Sequence, residues 1–253
     1  MHMDSWFKKD ILAGRKALVI GGSSESGPVV CRILAEHGAS VAFTYLSREL
    51  EAETITHELS KVTQSQAFQF DLLDRSHVLS LMGEVEQAFG PVDILINLGG
   101  PPPVYTDLRD LEPEQFDLMI DGHFKGYFSL ACEAAKRMEQ AQGGLIINVS
   151  ATSSLKYSHS AYGMAKACIN SMTKFLAHSF APKVRVLTLI PGLIELEEID
   201  PQLRKNRSAE SPLKRNVTPD ELGMLILAAS SPAYASATGV EIIADGGFWL
   251  LHR

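Results

Sequence analysis

The stretch GGSSESGP, Gly21 to Pro28, follows the apolar run Ala17-Leu18-Val19-Ile20 and precedes Val29-Val30-Cys31-Arg32-Ile33-Leu34. It reads as a strand, a tight turn and a helix. Amide N–H groups at such a helix start, together with the positive end of the helix dipole, make a cradle for an anion. Gly21, Gly22 and Gly27 lie where the chain turns and where a phosphate can approach the backbone only if no side chain stands in the way. Glu25 places a carboxylate in the middle of the cradle. A Gly-rich turn also serves ordinary loops, so its meaning depends on the rest of the chain.

Outward from the turn, short apolar runs recur at Lys16–Gly21, Val41–Tyr45, Ala67–Asp71, Asp93–Asn97, Leu145–Val149, Val184–Ile190 and Val240–Ile243. Each reads as a strand. They are nearly continuous in hydrophobicity rather than alternating, as strands covered on both faces require. The intervening segments carry helix periodicity, clearest in Val78, Leu81, Met82, Val85 and Phe89. TPDEL from Thr218 combines an N-cap hydroxyl, Pro219 at the first helical position and Glu221 three residues after the cap, which opens the last helix before the final strand. The pattern predicts an α/β fold: a doubly wound parallel sheet of seven strands in three αβα layers, with ligands outside the carboxyl ends of the strands.

The 253 residues are 45% hydrophobic and 21% charged, and they contain no internal repeat or linker, so one domain over 1–253 is expected. A formal charge of −7 argues against a nucleic-acid partner. The absence of an apolar run long enough to span a bilayer, and of a secretory pattern in MHMDSWFKKD, predicts a soluble, cytoplasmic protein with no membrane partner. Cys31, Cys132 and Cys168 are far apart and fall in helical segments, which predicts buried thiols and neither a disulfide nor a metal site.

Asp71 closes the third strand in FQFDLLD and Asn97-Leu98-Gly99-Gly100 closes the fourth, at the edges that would flank an adenosine. Asp71 also fits a helix cap. The second strand ends Phe43-Thr44-Tyr45-Leu46-Ser47-Arg48 without the acid that would bind a ribose 2′-hydroxyl. This favours the 2′-phosphate of NADP(H) over NAD(H), with Ser47 and Arg48 as contacts. Tyr162 and Lys166 in AYGMAKA are four residues apart on one predicted helix face. A nearby ammonium favours the phenolate, so Tyr162 is placed to exchange a proton with a substrate oxygen near neutral pH, as carbonyl reduction by hydride requires.

The order Gly21-x5-Gly27, Asp71, Asn97-x-Gly-Gly, Ser150, Tyr162-x3-Lys166, Pro191-Gly192 and Asp245-Gly246-Gly247 resembles the short-chain dehydrogenase/reductase family, most closely reductases of the 3-oxoacyl-carrier-protein type. The resemblance runs from about Leu12 to Leu250. It implies a Rossmann-type sheet, an NAD(P)(H) cofactor, a small-molecule carbonyl substrate, and a homo-oligomer, dimer or tetramer, built on helices around 113–140 and 160–180. It implies cofactor contacts from Gly21, Ser23, Ser24 and Gly27 in the turn, from Ser47, Arg48, Asp71 and Leu72 after the second and third strands, and from Asn97 and Gly99 after the fourth. Tyr162, Lys166, Pro191, Gly192 and Ile194 complete the implied set.

Four positions depart from that family's pattern, and they keep a second reading open beside the reductase: a family member with impaired cofactor binding that acts as a binding or structural subunit or a non-redox enzyme. Glu25 stands in the slot of the middle Gly of the phosphate turn. His123, in MIDGHFKGYF, stands where the family has an Asn that supports a water relay to the Lys; it reads either as a relay or as a packed core residue. The family's Ser, 13 residues before the Tyr, falls on Val149, or on Ala151 when counted forward from the strand. Ser150 is then the first candidate to polarise a substrate carbonyl, with Thr152 and Ser153 behind it. Leu196 replaces a hydroxyl after the nicotinamide-contacting backbone of Ile194. A substrate lid is expected at about 193–212, whose Arg204, Lys205 and Arg207 either face an anionic substrate or the phosphopantetheine of a carrier protein or coenzyme A, or form a solvated helix face, and the Pro-rich loop GGPPPVY should border the cleft.

Overall fold

A computed structural model describes residues 7–155 and 160–251. Its centre is a seven-stranded sheet in the order β3-β2-β1-β4-β5-β6-β7, every neighbouring pair parallel. The strands are β1 (Lys16–Ile20), β2 (Ser40–Tyr45), β3 (Ser65–Gln69), β4 (Ile94–Asn97), β5 (Gly144–Val149), β6 (Val184–Pro191) and β7 (Glu241–Ala244). Helices α1 (Gly27–Glu36), α2 (Glu49–Leu59) and α3 (Arg75–Ala88) alternate with the first four strands. Beyond β4 come α4 (Pro113–Ile120), α5 (Gly126–Gln140), α6 (Ala161–Phe180), α7 (Pro201–Glu210), α8 (Pro219–Ser230) and the short α9 (Phe248–Leu251).

The sheet is doubly wound because its apolar strands feed two cores at once. In β1, Leu18 and Ile20 enter one core while Ala17 and Val19 enter the other, as the two-residue period of a strand dictates. The first core packs against α3, α5 and α6, and Val78, Leu81, Met82, Val85 and Phe89 are all buried in it. The second packs against α1, α2 and α8. Thr218 caps α8 by accepting from the Glu221 amide, and the reciprocal capping-box bond from the Thr218 amide is also made.

Some expectations shift. β1 stops at Ile20, leaving Gly21 in the turn, and Asp71 lies beyond β3 rather than closing it. The edge strands β3 and β7 are only partly covered, since each has a neighbour on one side alone. Of the three thiols only Cys31 is buried, and burial pushes its pKa up; Cys132 and Cys168 are half-buried on α5 and α6.

Polar residues also cross the first core in one row. Asn97 on β4, Asn148 on β5 and Thr188 on β6 are neighbours in register. The Asn97 amide donates to Asn148 Oδ1 at 2.8 Å, the Asn148 amide to Thr173 Oγ1 of α6 at 3.0 Å, and Thr188 Oγ1 to Thr173 Oγ1 at 2.7 Å. Buried polar groups tolerate their loss of water when paired in this way, and of this row only Asn97 Oδ1 lacks a partner among the described residues. The row therefore fixes α6 against three strands, and α6 carries both Tyr162 and Lys166.

Candidate active site

The carboxyl ends of β1, β4, β5 and β6 open into a cleft of about 410 Å³. One wall is the turn before α1. Gly21, at φ +80°, packs against Gly99, and a Cβ there would lie 2.5 Å from the Gly99 Cα. A Cβ on Gly27 would lie 2.3 Å from the Gly21 carbonyl oxygen, so both positions require glycine. Ser26, at the N-cap of α1, makes no side-chain cap bond, which leaves the first turn of α1 without a side-chain partner. Ser24 and Ser26 line the cleft, whereas Ser23 is buried beside it.

Glu25 is held at φ +53°, a left-handed conformation that costs a non-glycine residue ~1–2 kcal/mol. It is exposed and lines the cleft, and its negative charge acts on Lys166, Tyr162, Tyr105 and Tyr127. The carboxylate therefore works inside the cleft.

Tyr162 and Lys166 meet as their spacing requires. Lys166 Nζ sits 5.5 Å from the Tyr162 ring centroid and donates to the Val149 carbonyl at 3.0 Å. Burial depresses the Lys166 pKa to about 7, offset in part by Glu25. The same burial raises the Tyr162 pKa, with contributions from Tyr105 and Glu25. The expected lowering of the phenol by its neighbouring ammonium is thus overruled, because desolvation of the phenolate outweighs it.

His123 faces the same cleft from a π-helical turn, Asp121–Lys125, between α4 and α5. Its ring meets Tyr162 edge-on at 5.0 Å. Nε2 lies 2.9 Å from the Pro101 carbonyl, which can only accept, so Nε2 carries the proton and Nδ1 presents a bare lone pair. Nδ1 is buried without a hydrogen-bond partner among the described residues. Burial and then the Lys166 charge hold its pKa down to about 3, so the ring is neutral throughout the physiological range.

The hydroxyls after β5 divide by partner. Ser150 Oγ donates to the Lys166 backbone carbonyl at 3.1 Å, so its proton is engaged in holding α6 rather than free for a substrate. Ser154 Oγ donates to Ala151 O and accepts from Asn170. Ser153 and Thr152 line the cleft, and Ser153 Oγ is buried with no hydrogen-bond partner among the described residues.

Several other predicted contacts lie elsewhere. Asn97 is fully buried in the polar row and its side chain does not line the cleft. Asp71 Oδ1 accepts from the Leu73 amide at 2.9 Å, closing its own turn, and Leu72 packs against Gly126 of α5. Ser47 and Arg48 are exposed at the end of β2, beside Thr44, whose Oγ1 accepts from the Gly21 amide. Pro191, Gly192 and Ile194 line the far wall. There the Val217 amide bonds Leu193 O and the Glu195 amide bonds Val217 O, which leaves the Ile194 backbone facing away from that bridge.

The Pro-rich loop borders the cleft, and it brings a residue not foreseen as functional. Tyr105 meets the Tyr162 ring edge-on at 5.7 Å. Sequence offered one cue, an aromatic ending a run of prolines. Beyond the far wall, Arg204 pairs with Glu195 at 3.1 Å and Lys205 is exposed, whereas Arg207 lines the cleft.

Comparison with known proteins agrees with this architecture. A family model described as enoyl-(acyl carrier protein) reductase matches residues 27–249. An NADPH-dependent aldehyde reductase-like chloroplastic protein of Arabidopsis thaliana is 34% identical over 81% of this chain and 83% of its own. A 3-oxoacyl-[acyl-carrier-protein] reductase of Thermotoga maritima is 27% identical, covering 93% and 98%. Among solved structures, a short-chain dehydrogenase/reductase from Serratia marcescens superposes with a TM-score of 0.88 at 25% identity over 94% of this chain and 99% of that one. Among the described residues, no helix is long and apolar enough to cross a membrane.

The Lys166 shift has a sign that can be measured. Below pH 7 the amine is protonated in both folded and unfolded chains; between about 7 and 10.5 only the unfolded chain holds the proton, so stability rises with pH across that window. In thermal melts of cofactor-free protein, wild type should gain on Lys166→Met between pH 6.5 and 9. Parallel pH profiles would refute the buried-amine assignment.

Proposed function

Because the chain belongs to the short-chain dehydrogenase/reductase family, whose members are oxidoreductases that bind a nicotinamide cofactor, we propose that it is an NADPH-dependent reductase of small carbonyl substrates. The observation that carries this reading is the meeting of Tyr162 and Lys166 in the cleft that the glycine turn opens. The residues fit a dinucleotide: the uncapped start of α1 would take the diphosphate, Ser47 and Arg48 a 2′-phosphate, and the Ile194 backbone the carboxamide. A reduced nicotinamide, when bound, supplies the hydride.

The chain's own groups manage the proton. Tyr162 gives its proton to the carbonyl oxygen as negative charge develops there, and Lys166 holds positive charge beside it. Ser153, whose hydroxyl is unpartnered, is better placed than Ser150 to donate the second hydrogen bond. His123 Nδ1 accepts from a water or hydroxyl that returns the proton to this pair. The segment 193–212 forms a lid over one domain spanning the chain. The exposed apolar face of α5 and α6, where Phe128 and Phe175 are 44% and 73% exposed, pairs with a second copy.

Fluorescence titration should give saturable binding of NADPH that is tighter than NADH. Glu25→Gly, which removes a charge facing the diphosphate and relieves a left-handed residue, should tighten it by about tenfold. Absence of saturation at millimolar cofactor in both proteins would end the reductase reading. With a responsive ketone, Tyr162→Phe should lose roughly 10²–10⁴-fold in kcat. Ser153→Ala should lose roughly 10²-fold while Ser150→Ala loses less; the reverse order would restore Ser150 to the carbonyl. Light scattering should report an oligomer that Phe175→Asp reduces in mass, and a monomeric wild type would remove the α5–α6 face from assembly.

A further inference from the structure

We propose that the substrate carries a carboxylate, and that Arg207 of α7 is the residue that binds it. This rests on the reductase reading and names the substrate class for that cleft. Five basic or acidic groups beside Arg207 belong to the lining: Lys166, Arg215, Glu25, Glu198 and Asp245, the last accepting from the Gly247 and Trp249 amides. Lys166 is directed at the Val149 carbonyl, and Arg215 Nη1 donates to Glu221 at 2.7 Å and to Asn216 O at 3.2 Å. Each is thus tied to an acceptor of the protein, although both keep further N–H donors.

Arg207 differs in how it is held. Its guanidinium lies over the Phe248 ring at 4.6 Å, so the aromatic face fixes the plane of the group. Stacking uses the face of a guanidinium and leaves its N–H edge free, and that edge matches the two oxygens of a carboxylate. The nearest carboxylate, Glu210, is 3.9 Å away, too far for a hydrogen bond, and among the described residues the guanidinium donates to none. A preorganised cation with unengaged donors in the wall of a cleft is a recognition element. Its charge also reaches Tyr105, whose ring touches that of Tyr162, so the anion site and the reacting phenol flank one space.

The two groups set the chemistry of the ligand: a carbonyl at Tyr162 and an anionic end toward α7, as in an oxo acid. Glu25 and Glu198 add negative charge along the remaining wall and disfavour a second anionic group there.

The test compares acetoacetate, its methyl ester and acetoacetyl-coenzyme A as substrates with saturating NADPH. Wild type should show a KM for the acid roughly 10- to 100-fold below that of the ester, the size of a charge-assisted hydrogen-bonded pair. Arg207→Gln should bring the acid and ester to equal KM, and Arg207→Lys, which keeps charge and loses the planar fork, should fall between. A preference that survives Arg207→Gln, or no preference in wild type, overturns the proposal; a thioester preferred over the free acid assigns the cleft to a carrier-borne phosphate instead and overturns it equally. Should none of the three be reduced, the reductase reading fails separately, and calorimetry of acetoacetate binding to wild type against Arg207→Gln still decides the anion site: equal affinities overturn it.

Discussion

The catalytic pair depends on how firmly α6 is fixed to the sheet. Tyr162, Lys166 and Thr173 lie along one helix, and Thr173 is the point where the amide and hydroxyl row of β4, β5 and β6 reaches it. Ser150, at the end of β5, adds a bond to the helix through the Lys166 carbonyl, and Lys166 returns one to Val149. Each of these groups is buried, and a buried polar group left without its partner costs ~1–3 kcal/mol, so the row tolerates one arrangement of helix on sheet. Apolar packing alone would let α6 slide by small steps. The polar row sets its height and rotation.

The same constraint keeps Lys166 and His123 buried at the floor of the cleft. Burial lowers Lys166 and raises Tyr162, which brings an amine near neutrality while keeping the phenol protonated. Both shifts favour the forms that carry no charge, and both are reversed in part by an arriving charge of the right sign. His123 is a third buried titratable group in the same space, and it too is neutral. Glu25 is the exception, an exposed carboxylate on a left-handed residue, and it supplies the field that the interior groups lack.

Much of the fold was legible because seven apolar runs separated by helical periods leave few alternatives to a doubly wound sheet. Boundaries slipped where a polar residue follows a strand: Gly21 and Asp71 belong to turns that no periodicity marks. In the site, the glycine turn and the Tyr162–Lys166 spacing were readable because each is a local geometric requirement. Ser150 and Asn97 were harder, since their roles depend on partners 16 and 51 residues away. A matching cue existed, because Asn97 closes one apolar strand and Asn148 stands one residue before the end of the next, and polar residues at the same height of neighbouring strands can pair. Arg207 was visible only as one of three basic residues, and its stacking on Phe248 comes from a contact between α7 and the far end of the chain.

The π-helical turn at Asp121–Lys125 gears two distant surfaces together. A turn of this kind holds one residue more than an α turn, and excising one residue from it would rotate everything on one side by about 100° relative to the other. The imidazole would then swing away from the phenol, and Phe128, on the same helix one turn further, would leave the outer apolar face at the same moment. A single-residue insertion therefore sets the phase between the inside of the cleft and the outside of the subunit, and evolution could not adjust one without retiming the other.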